Sequence, residues 1–139
     1  MSELLSRDEI HVALKEIVAD CLGCEPDDVT LEANFFHDLG GESIDVIDLT
    51  FRCEKSLGLR VGFQQLQDAT LWRFDSTGRL SGESLARIKS LFPLLDLSDL
   101  ERHTGPFHPH DFLTINRIVQ LIDQAQAAVA VEAIASQSA

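Results

Sequence analysis

Between Glu16 and Phe51 the chain contains no lysine and no arginine. The same stretch holds ten acids: Glu16, Asp20, Glu25, Asp27, Asp28, Glu32, Asp38, Glu42, Asp45 and Asp48. Nine of the eleven basic residues follow it, and the net charge is -12. A one-signed surface of this kind repels phosphate backbones, which excludes nucleic acid as a partner. It favours proteins with basic docking surfaces, drawn in by electrostatic steering. No apolar run approaches the ~20 residues of a membrane span. The opening residues, MSELLSRDEI, are acidic and lack a signal-peptide apolar core, so a cytoplasmic location is expected. Cysteine is scarce and odd in number (Cys21, Cys24, Cys53), which suits a reducing compartment better than a disulfide framework. Internal repeats are absent apart from one triplet, Gly-Glu-Ser, found at 41–43 and again at 82–84.

What is present is helical periodicity. Ser6 with Glu9 three residues on forms a capping-box pattern. Ile10, Ala13, Leu14, Ile17, Val18 and Cys21 then recur at helical spacing, which predicts a helix over about 7–22, ended by Gly23 and Pro26. Residues 24–41 read as an irregular connection, with Val29, Leu31, Phe35, Phe36 and Leu39 as apolar plugs. A second helix is predicted over about 43–57. Its stripe is Ile44, Ile47, Phe51 and Leu57, with Leu49 and Cys53 beside it, and Glu42, Asp45 and Asp48 share a face. A short turn is expected near residues 59–72, a loop over RFDSTGR, a helix over about 82–92 stopped by Pro93, and a turn after Ser98. The last helix starts after Thr114 and buries Ile115, Ile118, Val119, Ile122 and Ala125, with fraying expected beyond Ala130. Three long amphipathic helices specify an all-α bundle. A structureless loop of about fifty residues inside a compact domain is improbable, so residues 62–111 should hold extra helices.

The two serines of the repeated triplet differ in setting. Ser84 lies next to Ser81, the expected cap of the third helix, and nothing near it suggests a reaction. Ser43 follows two glycines, which open the backbone to close approach. It begins a helix, where free N–H groups favour an anion. Its flanking acids oppose a free phosphate but suit a covalently held phosphodiester that is visited by a basic enzyme.

The stretch FFHDLGGESIDVIDLTFRCEKSLGLRV, with FLTINRIVQLI further on, resembles the acyl carrier protein family. Asp38-Leu39-Gly40 matches the family's lead-in, and Ser43 matches the serine that carries 4′-phosphopantetheine. Glu42 and Ile44 stand where the family usually has Asp and Leu. The resemblance covers about residues 5–61 and 112–125. It implies an all-α, acyl-carrier-type antiparallel helical bundle forming one domain over 1–139. Residues 62–111 would be a helical insertion within it, between the second and last long helices. The longer carrier proteins of lipid A acylation are similar in having an insertion near this place.

The resemblance further implies that Ser43 is modified by a phosphopantetheinyl transferase using coenzyme A and Mg²⁺ on that enzyme. Acyl groups held as thioesters would be presented to acyl synthases and acyltransferases of fatty acid, lipid or polyketide synthesis. Glu42, Asp45 and Asp48 would dock basic partner surfaces, and Ile47, Phe51, Ile118 and Ile122 would face the acyl chain. Such a carrier is expected to be a monomer, to hold no metal and to perform no catalysis.

Peptidyl cargo, or an unmodified carrier-like adaptor, remain open on the residues alone. A hydrolase reading of Ser43, with His37 as the nearest histidine, lacks the closing glycine of the nucleophile elbow and the βα alternation of that fold. Cys21-Leu22-Gly23-Cys24 fits redox or zinc chemistry, although Cys21 also fits a buried stripe. His103, His108, His110 and Asp111 form a turn-rich cluster that suits either a transition metal or plain exposure.

Overall fold

The computed structural model describes residues 4–102 and 108–137. Its helices are α1 (Arg7–Leu22), α2 (Ser43–Leu57), α3 (Gly82–Leu91), α4 (Ser98–Arg102) and α5 (Ile115–Gln137). Single turns of 3-10 helix occur at Pro26–Asp28, Phe63–Gln67, Ala69–Leu71 and Pro109–Asp111. Extended pairing among the described residues is confined to isolated bridges, Asn34 with Thr114 and Phe74 with Leu80. The fold is all-α, as the periodicity requires.

Local chemistry explains the helix ends. Ser6 Oγ accepts from Glu9 N at 3.2 Å, and Ser6 N donates to Glu9 Oε1 at 3.0 Å, closing the expected capping box on α1. Gly23 ends α1 in the left-handed region at φ +72°. Thr114 Oγ1 accepts from Arg117 N at 3.2 Å and so caps α5. Ser98 is the first residue of α4, and its hydroxyl donates to Asp96 Oδ1 at 2.7 Å. The alanine-rich end was expected to fray but continues as helix to Gln137, in keeping with alanine's high helix propensity.

Helix α1 packs against α2 and α5. Ile10, Leu14 and Val18 of α1 meet Val46, Leu49 and Cys53 of α2, and Ile115, Ile118 and Ile122 of α5, in one buried cluster. Residues 62–111 belong to the same cluster through Phe63, Leu71, Trp72, Ile88, Phe92 and Leu100. Burying an aromatic or aliphatic side chain stabilises by roughly 1.5–3 kcal/mol, so this segment brings core of its own.

One correction concerns α2. Its buried stripe is Val46, Leu49 and Cys53, whereas Ile44, Ile47 and Phe51 are exposed. Both sets recur at three- and four-residue spacing, so periodicity identifies a helix with two apolar stripes and leaves open which one faces inward.

A buried cation was not foreseen. Arg117 of α5 is 7% exposed and donates through Nη1 to Phe112 O at 2.9 Å. Through Nη2 it pairs with Asp99 of α4, and its guanidinium lies 4.4 Å over the Phe112 ring. It thereby ties residues 62–111 to the last helix.

Candidate functional site

The loop before α2 places Ser43. Asp38 Oδ2 accepts from Asn34 N at 2.7 Å, and Asn34 Oδ1 accepts from Phe36 N at 2.8 Å and His37 N at 3.0 Å. The Asn34 amide also donates to His110 O at 2.9 Å and Asp111 O at 3.2 Å. Asn34 therefore knots the loop to the turn preceding α5. Backbone bonds complete the strap: Phe35 N to Leu113 O at 2.9 Å and Gly41 N to Phe35 O at 2.9 Å. A Cβ at Gly41 would stand 2.5 Å from the Phe35 ring, so only glycine allows the chain this close.

Helix α2 then begins with Glu42 as its N-cap residue. Asp45 Oδ2 accepts from Glu42 N at 2.8 Å. Ser43 is the first helical residue, and its side chain is exposed. Gln67 Nε2 donates to Ser43 O at 3.2 Å, so the 62–111 segment touches the serine's own backbone. The N–H groups of Ser43 and Ile44 precede the first intrahelical bond and sit at the positive end of the helix dipole. An accessible hydroxyl with those donors beside it fits a covalently attached phosphodiester.

Ser84 has the opposite setting. It is 2% exposed, its Oγ accepts from Arg73 N at 2.9 Å, and its N–H donates to Ser81 Oγ at 3.2 Å. The second triplet starts a helix and offers no reachable hydroxyl.

Beside Ser43 lies a cavity of about 450 Å³. Val46 of α2, Phe36 of the loop, Leu66 of a 3-10 turn, Trp72 just after the next one, and His110 of the turn before α5 all reach it. Ile47, Phe51, Ile118 and Ile122, the expected acyl-facing set, do not come together. The first two are exposed on α2, the last two are fully buried, and none of the four lines this cavity. Asn34, Gln67, Trp72 and Phe74 were missed. They are scattered along the chain and show no period; the available signal was the run of bulky apolar residues Phe63, Leu66, Leu71, Trp72 and Phe74 before Gly78.

Of the acids, Glu42 is exposed while Asp45 and Asp48 are half-buried. Asp48 pairs with Arg52 at 2.9 Å, and that guanidinium holds its carboxyl below the usual range. The cysteines are subdued. Burial pushes Cys21 up to about 12, helped by Asp48, and burial pushes Cys53 to about 12 as well. Burial raises Cys24 too. His103 lies outside the described residues. His110 stacks on Phe36 at 4.0 Å, His108 Nδ1 accepts from His110 N at 3.0 Å, and His37 Nε2 meets Asp111 Oδ1 at 2.6 Å. Among the described residues no group of three or more His, Cys, Asp or Glu side chains is arranged to hold a metal ion.

The family model described as a phosphopantetheine attachment site matches residues 12–71, which contain the loop, Ser43, α2 and the first two turns of the insertion. An acyl carrier protein of Petrotoga mobilis is 35% identical over 63 residues, covering 45% of this chain and 74% of that relative. One of Thermotoga maritima is 35% identical over 75 residues, covering 54% of this chain and 86% of the relative. One of Bdellovibrio bacteriovorus is 38% identical over 52 residues, covering 37% and 67%. With an exposed serine at the head of an acidic helix, these matches show that the chain belongs to the acyl carrier protein family, whose members carry acyl groups on covalent 4′-phosphopantetheine.

Proposed function

We propose that Ser43 is the attachment point of 4′-phosphopantetheine and that the cavity beside it shelters the cargo. The observation that carries this reading is the contrast between the two Gly-Glu-Ser serines: one is exposed at a helix start, the other buried and hydrogen-bonded. In the loading step Ser43 Oγ forms a bond to the phosphorus of the coenzyme A pantetheine arm. The bond from that phosphorus to the nucleotide part breaks, and the hydroxyl proton passes to a base on the transferase. When bound, the group supplies a terminal thiol that holds an acyl chain as a thioester. Tethering raises the cargo's effective concentration at each partner.

The chain's own residues position, shelter and dock, and perform no reaction. Exposed Ile44, Ile47 and Phe51 lie on the same helix as Asp45 and Asp48, with Glu42 at its N-cap. An apolar stripe among acids suits partner enzymes with an apolar patch rimmed by basic residues. The partners in this reading are a phosphopantetheinyl transferase, acyl synthases and acyltransferases. Among the described residues no helix is long and apolar enough to cross a membrane. We read residues 62–111 as part of one carrier domain, since their side chains share its core.

A phosphopantetheinyl transferase with coenzyme A and Mg²⁺ tests the attachment. Wild type and Ser84→Ala should each gain one group, and Ser43→Ala none, by intact mass. A group still gained by Ser43→Ala places the attachment elsewhere.

A further inference from the structure

The chain has eight phenylalanines, one tryptophan and no tyrosine. Among the described residues, Phe36, Phe63, Trp72, Phe74 and Phe112 line the cavity beside Ser43. The packing between the long helices is of another kind. Its buried positions on α1 and α5 include Ile10, Leu14, Ile17, Val18, Ile118 and Ile122, all aliphatic.

Trp72, Phe112 and Phe36 are held by contacts of their own. Trp72 Nε1 donates to Leu66 O at 2.7 Å, which sets the plane of the indole. Trp72 meets Phe112 edge to face at 5.2 Å and 65°. Phe36 and the His110 imidazole stack at 4.0 Å and 8°. Ser43 and Gln67 give the same cavity a polar margin at the tether point.

A saturated chain gains from burial in proportion to its apolar area, and leucine, isoleucine or methionine walls serve it as well as rings do. A flat conjugated group gains further from ring faces and edges. Resting on the carrier reading, we infer that the cargo this cavity selects is an acyl group with a planar conjugated unit, an aryl or polyene acyl chain, in preference to a saturated one. Residues 62–111 supply Phe63, Trp72 and Phe74 of this wall and so set the cargo class.

The test loads the full chain at Ser43 with cinnamoyl, nonatrienoyl or nonanoyl pantetheine, all of the same carbon number. Thioester cleavage by hydroxylamine is timed on the folded protein and divided by the rate in urea, which removes each thioester's intrinsic reactivity. The conjugated groups should be protected roughly two- to ten-fold more than nonanoyl, the range of a single ring-on-ring contact. Cinnamoyl above nonatrienoyl assigns an aryl cargo; the reverse assigns a polyene. Phe36→Leu and Phe74→Leu, at half-buried and 39% exposed positions, should each reduce that excess while sparing nonanoyl protection. If a variant loses its helical circular dichroism, emission of the lone Trp72 in the unmodified chain decides, titrated with cinnamamide against nonanamide. Equal or greater protection of nonanoyl, or tighter binding of nonanamide, overturns the inference. Failure of Ser43 to accept any group overturns the carrier reading, whereas loading without a planar preference overturns this inference alone.

Discussion

At Gly41 an added Cβ would meet Phe35 Cε1 at 2.5 Å and Phe35 O at 2.8 Å. The second contact is with backbone and has nowhere to go. Gly41→Ala should therefore lower stability by about 1–3 kcal/mol, read as a shift in urea midpoint at unchanged slope. An unshifted midpoint would show that the loop yields easily. Asp45 caps Glu42 N and, in the proposed docking role, also presents charge; substitution separates the two. Asp45→Asn keeps an acceptor and removes the charge, while Asp45→Lys and Asp48→Lys reverse it. Transferase loading should slow from wild type to Asn to the double Lys variant, with its salt dependence shrinking in the same order. Equal rates across the series would dismiss an electrostatic docking face. The thiols give a third outcome. Because Cys21 and Cys53 are raised to about 12 and Cys24 is raised as well, the unmodified chain should react slowly with a thiol reagent at pH 8. The loaded chain should show one fast equivalent, and a fast equivalent before loading would contradict the burial described for these cysteines.

The turn before α5 links the loop to the cavity and carries a pH dependence of known sign. Burial, with His108 and His37 nearby, holds the His110 imidazole below the ordinary histidine range. The unfolded chain then binds that proton better than the folded one. This contribution is complete above the ordinary histidine pKa and is lost as pH falls below it. Partial burial pulls the Asp111 pKa upward, but His108 N–H at 2.9 Å and the His37 ring outweigh it and leave Asp111 below its ordinary value. Its contribution is present above the ordinary carboxylate pKa and is lost as pH falls through the depressed one. Urea midpoints should fall between pH 7.5 and 5.5, and His110→Phe, which keeps a ring on Phe36, should flatten that decline. An equally steep decline in the variant would assign the titration elsewhere. Element boundaries were legible because the chain announces them: Ser6 with Glu9, Gly23, Gly58, Ser81 and Thr114 all sit where helices begin or end. The inward face of α2 was not legible. Val46, Leu49 and Cys53 compete with Ile44, Ile47 and Phe51 at the same spacing, and partners far along the chain decide between them.

For the whole molecule, local signals pointed to Ser43, whereas the chamber beside it came only from tertiary structure. The loop, α2, the segment after α2 and the turn before α5 all lend side chains to it, from Phe36 to Leu113. No window of sequence contains such an arrangement, and helical stripes point instead to Ile47 and Phe51 on the surface and Ile118 and Ile122 in the core. Residues 62–111 do more than lengthen a connection: they hydrogen-bond the serine's backbone through Gln67, anchor to α5 through Asp99 and Arg117, and contribute to the common core. The most direct test is intact mass, followed by peptide mapping, of the protein purified from its own host. The expected result is a single phosphopantetheine increment, with or without an acyl group, confined to the peptide containing Ser43. A chain of unmodified mass under conditions where the host loads its other carriers would contradict the account and leave the bundle as an adaptor.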